Sequence, residues 1–445
     1  MLSACRQIFG VTLLTLRSSV RTGTMGAVFL LVTILLAALP PLLKGDGTVE
    51  GRASVLITYT LGAVFVALAV STLWGSCSLF ATEISSSRLG LTWVKPITAL
   101  RLYFGKFLAV LLINALALSY AAGTVCLLLP KSFREGHDSV SVVRPIMPSV
   151  REEAEQVYEE MKKADSLPEG LSRRRIIRTL IRRAPDRYTA ISSGDSVSWT
   201  FRVPEAFAPG DLPMVRMNFE TEWNSRQVAS ATCRLSPGDG NGVFDDFKAV
   251  SVPSVRAGRA VLTFPLPERQ FAGVKEVRAV LEYGSRTAGD ATLLTRFRKD
   301  VALTRTGVPF WINLSRALII HLGALAAISA LGLALGAAFS FPVAAFTGTL
   351  VLILFSVSGS VVRSVSDEET DTMLKRAGFV IAEQVDRTID SVVDANALDA
   401  LVDGEEISGR KTMLSALRSG IILPFGVFGL LACAALKRRD KQEES

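Results

Sequence analysis

Chemistry on covalent bonds asks for nucleophiles, general acids and bases or metal ligands at fixed spacings, and this chain supplies few of them. Its two histidines are His137 and His321. A zinc-binding helix needs two histidines four residues apart, and a Ser-His-Asp arrangement needs one between nucleophile and acid. Neither is supported here, and no Gly-x-Ser-x-Gly elbow occurs. The adjacent acids Glu152-Glu153 and Asp245-Asp246 are of the kind usually solvated on helix faces and loops, not poised for acid–base work. The cysteines are scattered, with Cys77, Cys126 and Cys433 in apolar runs, Cys5 in the N-terminal lead and Cys233 in the polar middle. One soluble thiol builds neither an internal disulfide framework nor a CxxC metal site. Gly404 to Thr412, GEEISGRKT, nearly spells a phosphate-binding loop. Its extra Arg410 before the lysine, and the lack of an apolar strand ahead of it, deny it the backbone cradle that phosphates need. The sequence therefore assigns no catalytic, cofactor-binding or metal-binding residue, and the chain does not read as an enzyme.

What stands out instead is charge in apolar surroundings. Arg316 and His321 fall in a long apolar run, and an ionisable residue inside a membrane span is a functional-site candidate by default. Arg316 is long enough to snorkel outward, and His321 can stay neutral and hydrogen-bonded. The second feature is the connection from Phe80 to Lys106, FATEISSSRLGLTWVKPITALRLYFGK, where Arg88, Lys95, Arg101 and Lys106 stand against Glu83. A short loop with that excess of cations stays on the cytoplasmic side. Leu89, Leu91, Trp93 and Val94, then Pro96, then Leu100, Leu102 and Tyr103 give it an apolar face. Such a face suits an interfacial helix or a groove on a soluble partner.

The elements that must hold these residues are mostly membrane spans. A mean hydropathy of +0.37 with 49% hydrophobic residues is too oily for an ordinary soluble domain. The net charge of +8 gathers at the ends of apolar runs and in one mid-chain patch, which indicates positive-inside anchoring and not nucleic acid. Residues 1–24 alternate apolar and basic positions, as an interfacial helix does. Apolar runs at 25–43, 55–81 and 107–129 predict three spans within 25–130, with a cytoplasmic loop at 82–106. The run at 309–362 is too long for one helix and splits at Ser340 to Pro342 into spans at 310–338 and 342–362. A sixth span at about 416–436, within 414–437, is kinked at Pro424 and stops at Lys437-Arg438-Arg439. Six spans place both termini, including the tail 438–445, in the cytoplasm. Residues 363–413, acid-rich with helical apolar spacing, then form an outer amphipathic segment. The sequon at Asn313 abuts the fourth span.

The segment 131–308 is then extracytoplasmic. Its first part, 150–184, has helical spacing at Val150, Ala154, Val157 and Met161, and a second helix from Ser172 to Arg183 carries six arginines. That patch suits an anionic ligand or a solvated face with acid partners. From 195 to 306 the period changes to two: Val197, Trp199, Phe201, Val203; Val215, Met217, Phe219, Thr221, Trp223; Val277, Ala279, Leu281, Tyr283. Short alternating strands with turn residues between them predict an antiparallel β-sandwich of about seven strands. The fold class is thus an α-helical polytopic membrane protein of six transmembrane helices, with an inserted extracytoplasmic α+β domain containing that sandwich.

The connection after the second span also carries a resemblance. Glu83, then Ser85-Ser86-Ser87-Arg88-Leu89-Gly90, then Lys95-Pro96-Ile97, and Gly105-Lys106 opening the third span resemble the permease subunits of type-2 ABC exporters. The resemblance covers the first third of the chain well and the last third in topology. It implies a bacterial inner-membrane, multi-pass permease powered by a separate ABC ATPase subunit, with ATP and Mg in that partner and no cofactor in this chain. It also implies a second permease subunit, in a homo- or heterodimer, within the lipid bilayer. Glu83, Arg88, Leu89, Gly90, Lys95, Pro96 and Lys106 would make or support the coupling contact and carry force. The alternative is a non-transporting polytopic envelope protein whose outer β-sandwich binds a partner or surface polymer. A pure anchor needs one or two spans, so six favour transport. The large insertion between spans three and four departs from the minimal permease plan and argues against ordinary export of drugs or small solutes.

Overall fold

The computed structural model describes residues 2–43, 49–86, 97–131, 139–145, 158–159, 161–162, 173, 188–192, 194–203, 213–221, 231–238, 247–251, 254–256, 259–266, 274, 276–283, 292–296, 300–365, 396–402 and 404–443. The chain divides into two compact units, a helical one formed by 1–139 with 309–445 and a β unit formed by 140–308.

In the helical unit α1 (Leu2–Arg21) and α2 (Thr24–Leu42) meet at Gly23, whose φ of 75° is open to glycine without strain. A short α3 (Val49–Ser54) runs through a π-helical stretch (Val55–Leu61) into α4 (Gly62–Ser85), followed by α5 (Ala99–Leu128). Beyond the β unit come α6 (Phe310–Ala338), α7 (Phe341–Val365), α8 (Asn396–Val402), α9 (Gly409–Leu417), a second π-helical stretch (Arg418–Phe428) and α10 (Gly429–Glu443). Among the described residues five segments are long and apolar enough to cross a membrane: Thr24–Leu42, Gly51–Ser85, Ala99–Leu128, Phe310–Ala338 and Gly409–Arg438. Phe341–Leu354 is apolar but shorter over the described side chains. The expected break falls where Ser340 separates α6 from α7. Pro424 lies inside the second π-helical stretch, and its carbonyl accepts the Tyr103 hydroxyl at 3.0 Å.

Helix α6 is the most buried of the five segments, and α4, α5, α7, α9 and α10 all pack on it. Its small residues make this possible. A Cβ on Gly332 would lie 2.7 Å from Ser76 Cβ and 2.8 Å from Leu73 O, and one on Gly336 would overlap the Cys77 carbonyl. In lipid, where helices gain nothing from hiding apolar surface, such close backbone approach is what holds them together. Large apolar side chains such as Leu30, Val66, Leu116, Phe346, Ile421 and Leu430 face outward, each more than half exposed.

The β unit has eleven strands among the described residues: β1 (Val140–Val143), β2 (Tyr188–Ile191), β3 (Ser196–Arg202), β4 (Met214–Thr221), β5 (Ala231–Gly238), β6 (Phe247–Ser251), β7 (Ser254–Arg256), β8 (Arg259–Pro265), β9 (Glu276–Tyr283), β10 (Leu293–Arg296) and β11 (Val301–Thr306). Four, in the order β3-β9-β5-β6, form one antiparallel sheet, and the other seven form a second around β4, which pairs with β8, β10 and β11. The period-two residues do what alternation predicts: Trp199, Phe201, Val215, Met217, Phe219, Val277, Ala279, Leu281 and Tyr283 are all buried in one cluster drawn from both sheets. Trp223 lies outside the described residues. Val140 pairs with Thr306, so the unit begins and ends on adjacent strands, the geometry that lets a domain be inserted into another chain. The helices expected at 150–164 and 172–183 fall almost wholly outside the described residues. Of the arginine run residue 173 is described, 3.9 Å from Glu159 and over the Tyr158 ring.

Candidate functional site

The residues expected to form the coupling connection divide into two groups. Arg88, Leu89, Gly90, Lys95 and Pro96 lie outside the described residues. Glu83, in the last turn of α4, and Lys106, in the second turn of α5, flank them, and the fold brings these two together. Lys106 Nζ is 2.5 Å from Glu83 Oε2 and donates a further bond to Leu79 O at 2.8 Å. It also stands 4.3 Å from the centroid of the Phe80 ring, within cation–π reach.

The two partners are not equally buried: the Lys106 side chain is 3% exposed and that of Glu83 36%. An ammonium so enclosed costs several kcal/mol to desolvate, and the cost is met only if a carboxylate and further acceptors surround it. Glu83, the Leu79 carbonyl and the Phe80 ring supply that environment. The consequence is mechanical, because the bridge ties the end of α4 to the start of α5 and fixes both points from which 87–96 departs.

Helix α1 is locked to the same place. A Cβ on Gly105 would fall 2.5 Å from Val11 Cβ, so the helices touch backbone to side chain. Thr12 Oγ1 donates to Gly105 O at 3.0 Å, and Arg101 Nη1 donates to Gln7 Oε1 at 2.7 Å. The exposed side of α1 carries Arg6, Arg17 and Arg21 beside Phe9, Leu14 and Val20, as an interfacial helix requires.

Arg316 and His321 share α6 but enter separate environments. Arg316 Nη1 donates to Glu406 Oε1 at 2.8 Å and to Ile407 O at 2.7 Å. Asn313 completes the clamp: its Nδ2 donates to Glu405 O at 2.9 Å and its Oδ1 accepts from Ile407 N at 2.8 Å. Arg316 thus turns to residues 406–407 instead of snorkelling. Asn313 is 1% exposed and used on both faces, which removes its sequon as a modification site. His321 Nδ1 donates to Ala317 O at 2.8 Å, and its ring meets Phe65 edge-on at 4.6 Å. The same clamp disposes of the phosphate-loop likeness: the Ile407 amide is taken by Asn313, and the Thr412 hydroxyl donates to Ser408 O at 3.2 Å.

Sequence reasoning selected Glu83 and Lys106 as loop residues but did not pair them with each other. The signal was there, since Lys106 precedes Phe107 and Glu83 lies one turn from Phe80, and a lone charge in apolar surroundings is costly. Nothing in the sequence pairs Asn313 with Glu405, 92 residues away. Long apolar helices packed through glycine, together with the antiparallel β unit, define a polytopic membrane protein carrying a β domain. No protein-family model matches the chain, and comparison with curated proteins returns no match.

Proposed function

We propose that the chain is the permease subunit of an ABC exporter, driven by a separate ATPase that grips residues 87–96 on the cytoplasmic side. In this reading α7 is a sixth span, the two sheets of the β unit form an extracytoplasmic sandwich, and both termini are cytoplasmic. A second permease subunit completes the transporter. The observation that carries the reading is the buried Lys106–Glu83 bridge. The bridge joins the described ends that flank 87–96, so motion reaching them passes into α4 through Glu83, into α5 through Lys106 and into α1 through Gly105, and α4 transmits it to the central α6 at Gly332 and Gly336.

The test is copurification. An ATPase subunit recovered with the native chain and lost on Arg88→Glu or Lys95→Glu supports the assignment. Retention in both variants counts against the loop as the grip. Absence of any ATPase from the native preparation favours the second reading, a non-transporting envelope protein acting through its β unit, which has a complete core of its own.

A further inference from the structure

Midway along the helical unit, where the chain is otherwise apolar, four small polar side chains gather from three helices. Thr72 and Ser76 stand one turn apart on α4, Asn114 lies on α5 and Ser329 on α6, and none is more than 6% exposed. Helices α4 and α6 run in matched register: Phe65 meets His321 and, eleven residues further along each, Ser76 meets Gly332. That register sets Ser329 level with Leu73, the residue after Thr72. Thr72 Oγ1 donates to Asn114 Oδ1 at 2.7 Å, and Ser329 Oγ donates to Ala326 O at 2.8 Å.

Two polar atoms of the group have no hydrogen-bond partner among the described residues, Ser76 Oγ and Asn114 Nδ2. A buried donor left unmet is destabilising, and lipid provides no substitute for the missing bond. Holding the helices together would need no more than the Thr72–Asn114 bond, so the unused atoms call for something else. The group contains no ionised side chain. The nearest described ion pair, Lys106 with Glu83, is satisfied internally and lies about 12 Å along α5 from Asn114, eight residues at 1.5 Å each. The α6 backbone at Gly332 comes close to Ser76, a Cβ there falling 2.7 Å from Ser76 Cβ, so any occupant beside Ser76 must be small.

We infer that Ser76 and Asn114 jointly hold one small neutral polar ligand, a water molecule, at the centre of the α4–α5–α6 packing. Asn114 Nδ2 donates to its oxygen, it exchanges a hydrogen bond with the Ser76 hydroxyl, and Ser329 Oγ keeps lone pairs for a third contact. Two to four polar partners are what a buried water needs. This inference stands whether or not the chain is a transporter.

The full chain in lipid nanodiscs tests it through the sign of one substitution. If Ser76 Oγ were unbonded, Ser76→Ala would delete an unmet hydroxyl and raise the Tm; if a water is bound there, Ser76→Ala lowers the Tm by about 2 °C or more. Asn114→Leu should also lower it, and the double variant should lose no more than the larger single loss, because one ligand serves both residues. A raised or unchanged Tm for Ser76→Ala, or fully additive losses, overturns the inference. So does a Tm that is higher in sodium chloride than in choline chloride, which would make the occupant a cation. A density map of the native chain that resolves waters needs no variant: density within hydrogen-bond reach of both atoms supports the site, and a direct Ser76–Asn114 bond in its place contradicts it.

Discussion

The helical unit and the β unit differ in how many large apolar residues they leave on the outside. In the β unit the large apolar side chains turn inward from two sheets, and among its described residues Met214 is the large one left exposed, at 36%. The helical unit buries leucine, valine and phenylalanine too, as Leu68, Val64 and Phe80 show, mixed with glycine, alanine and small polar residues, and it also turns many more of the large ones outward. One unit is built against water and the other against lipid. The difference extends to charge. Two ion pairs of the β unit, Arg202 with Glu276 and Arg234 with Glu282, keep their arginines in solvent, whereas the helical unit encloses Lys106. A charge pair contributes little where water competes and much where removing one partner leaves the other stranded.

Removing an inward aromatic from the β unit should have the largest effect. Because its first and last strands are adjacent, residues 140–308 expressed alone should fold, with cooperative urea unfolding. Trp199→Ala should then cost about 4 kcal/mol in that transition. A fragment that unfolds without cooperativity would mean that the unit lacks a core of its own.

Next in size is the buried bridge, where the two partners should behave differently. Glu83→Gln strands an ammonium that is almost fully enclosed and should cost about 3 kcal/mol, whereas Lys106→Met leaves a half-exposed carboxylate and should cost about 1 kcal/mol. Thermal unfolding of both variants in nanodiscs measures the asymmetry, and equal losses would show that the carboxylate is as enclosed as the lysine.

Smaller effects come from the β unit's thiol and its surface. Burial on β5 pushes the Cys233 thiol from 9.0 up to about 12, and nearby Glu282 pushes in the same direction. The folded state therefore keeps its proton where the unfolded chain releases it. The resulting stability is intact below 9.0 and is lost as the pH rises towards about 12. At neutral pH Cys233 should resist thiol reagents until the fragment is unfolded. Arg202→Ala, removing one partner of an exposed pair, should change stability by no more than about 0.5 kcal/mol.

How much of this was legible depended on whether the signal was periodic or distant. Alternation at 197–203, 215–221 and 277–283 placed β3, β4 and β9, and apolar length placed the helices, because both patterns repeat locally. The short strands β1, β7 and β10 lacked enough repeats to register. The span expected at 55–81 begins earlier, at Gly51, and its π-helical start carries no composition signal. The site was half legible. Glu83 and Lys106 could be singled out, but their pairing depends on how α4 and α5 pack. The clamp from Asn313 and Arg316 reaches residues 405–407 through bonds that span 90 positions or more, and the Thr72–Asn114 bond spans 42; no residue pattern announces either.

The account rests on which side of the membrane residues 87–96 occupy. With the five native cysteines replaced, a lone cysteine is placed in 87–96 in one variant and on the exposed face of the β unit in another, and intact cells are treated with an impermeant thiol reagent. The account predicts labelling of the β-unit cysteine, with the 87–96 cysteine modified only after permeabilisation. Labelling of the 87–96 cysteine in intact cells, with the β-unit cysteine protected, would contradict it.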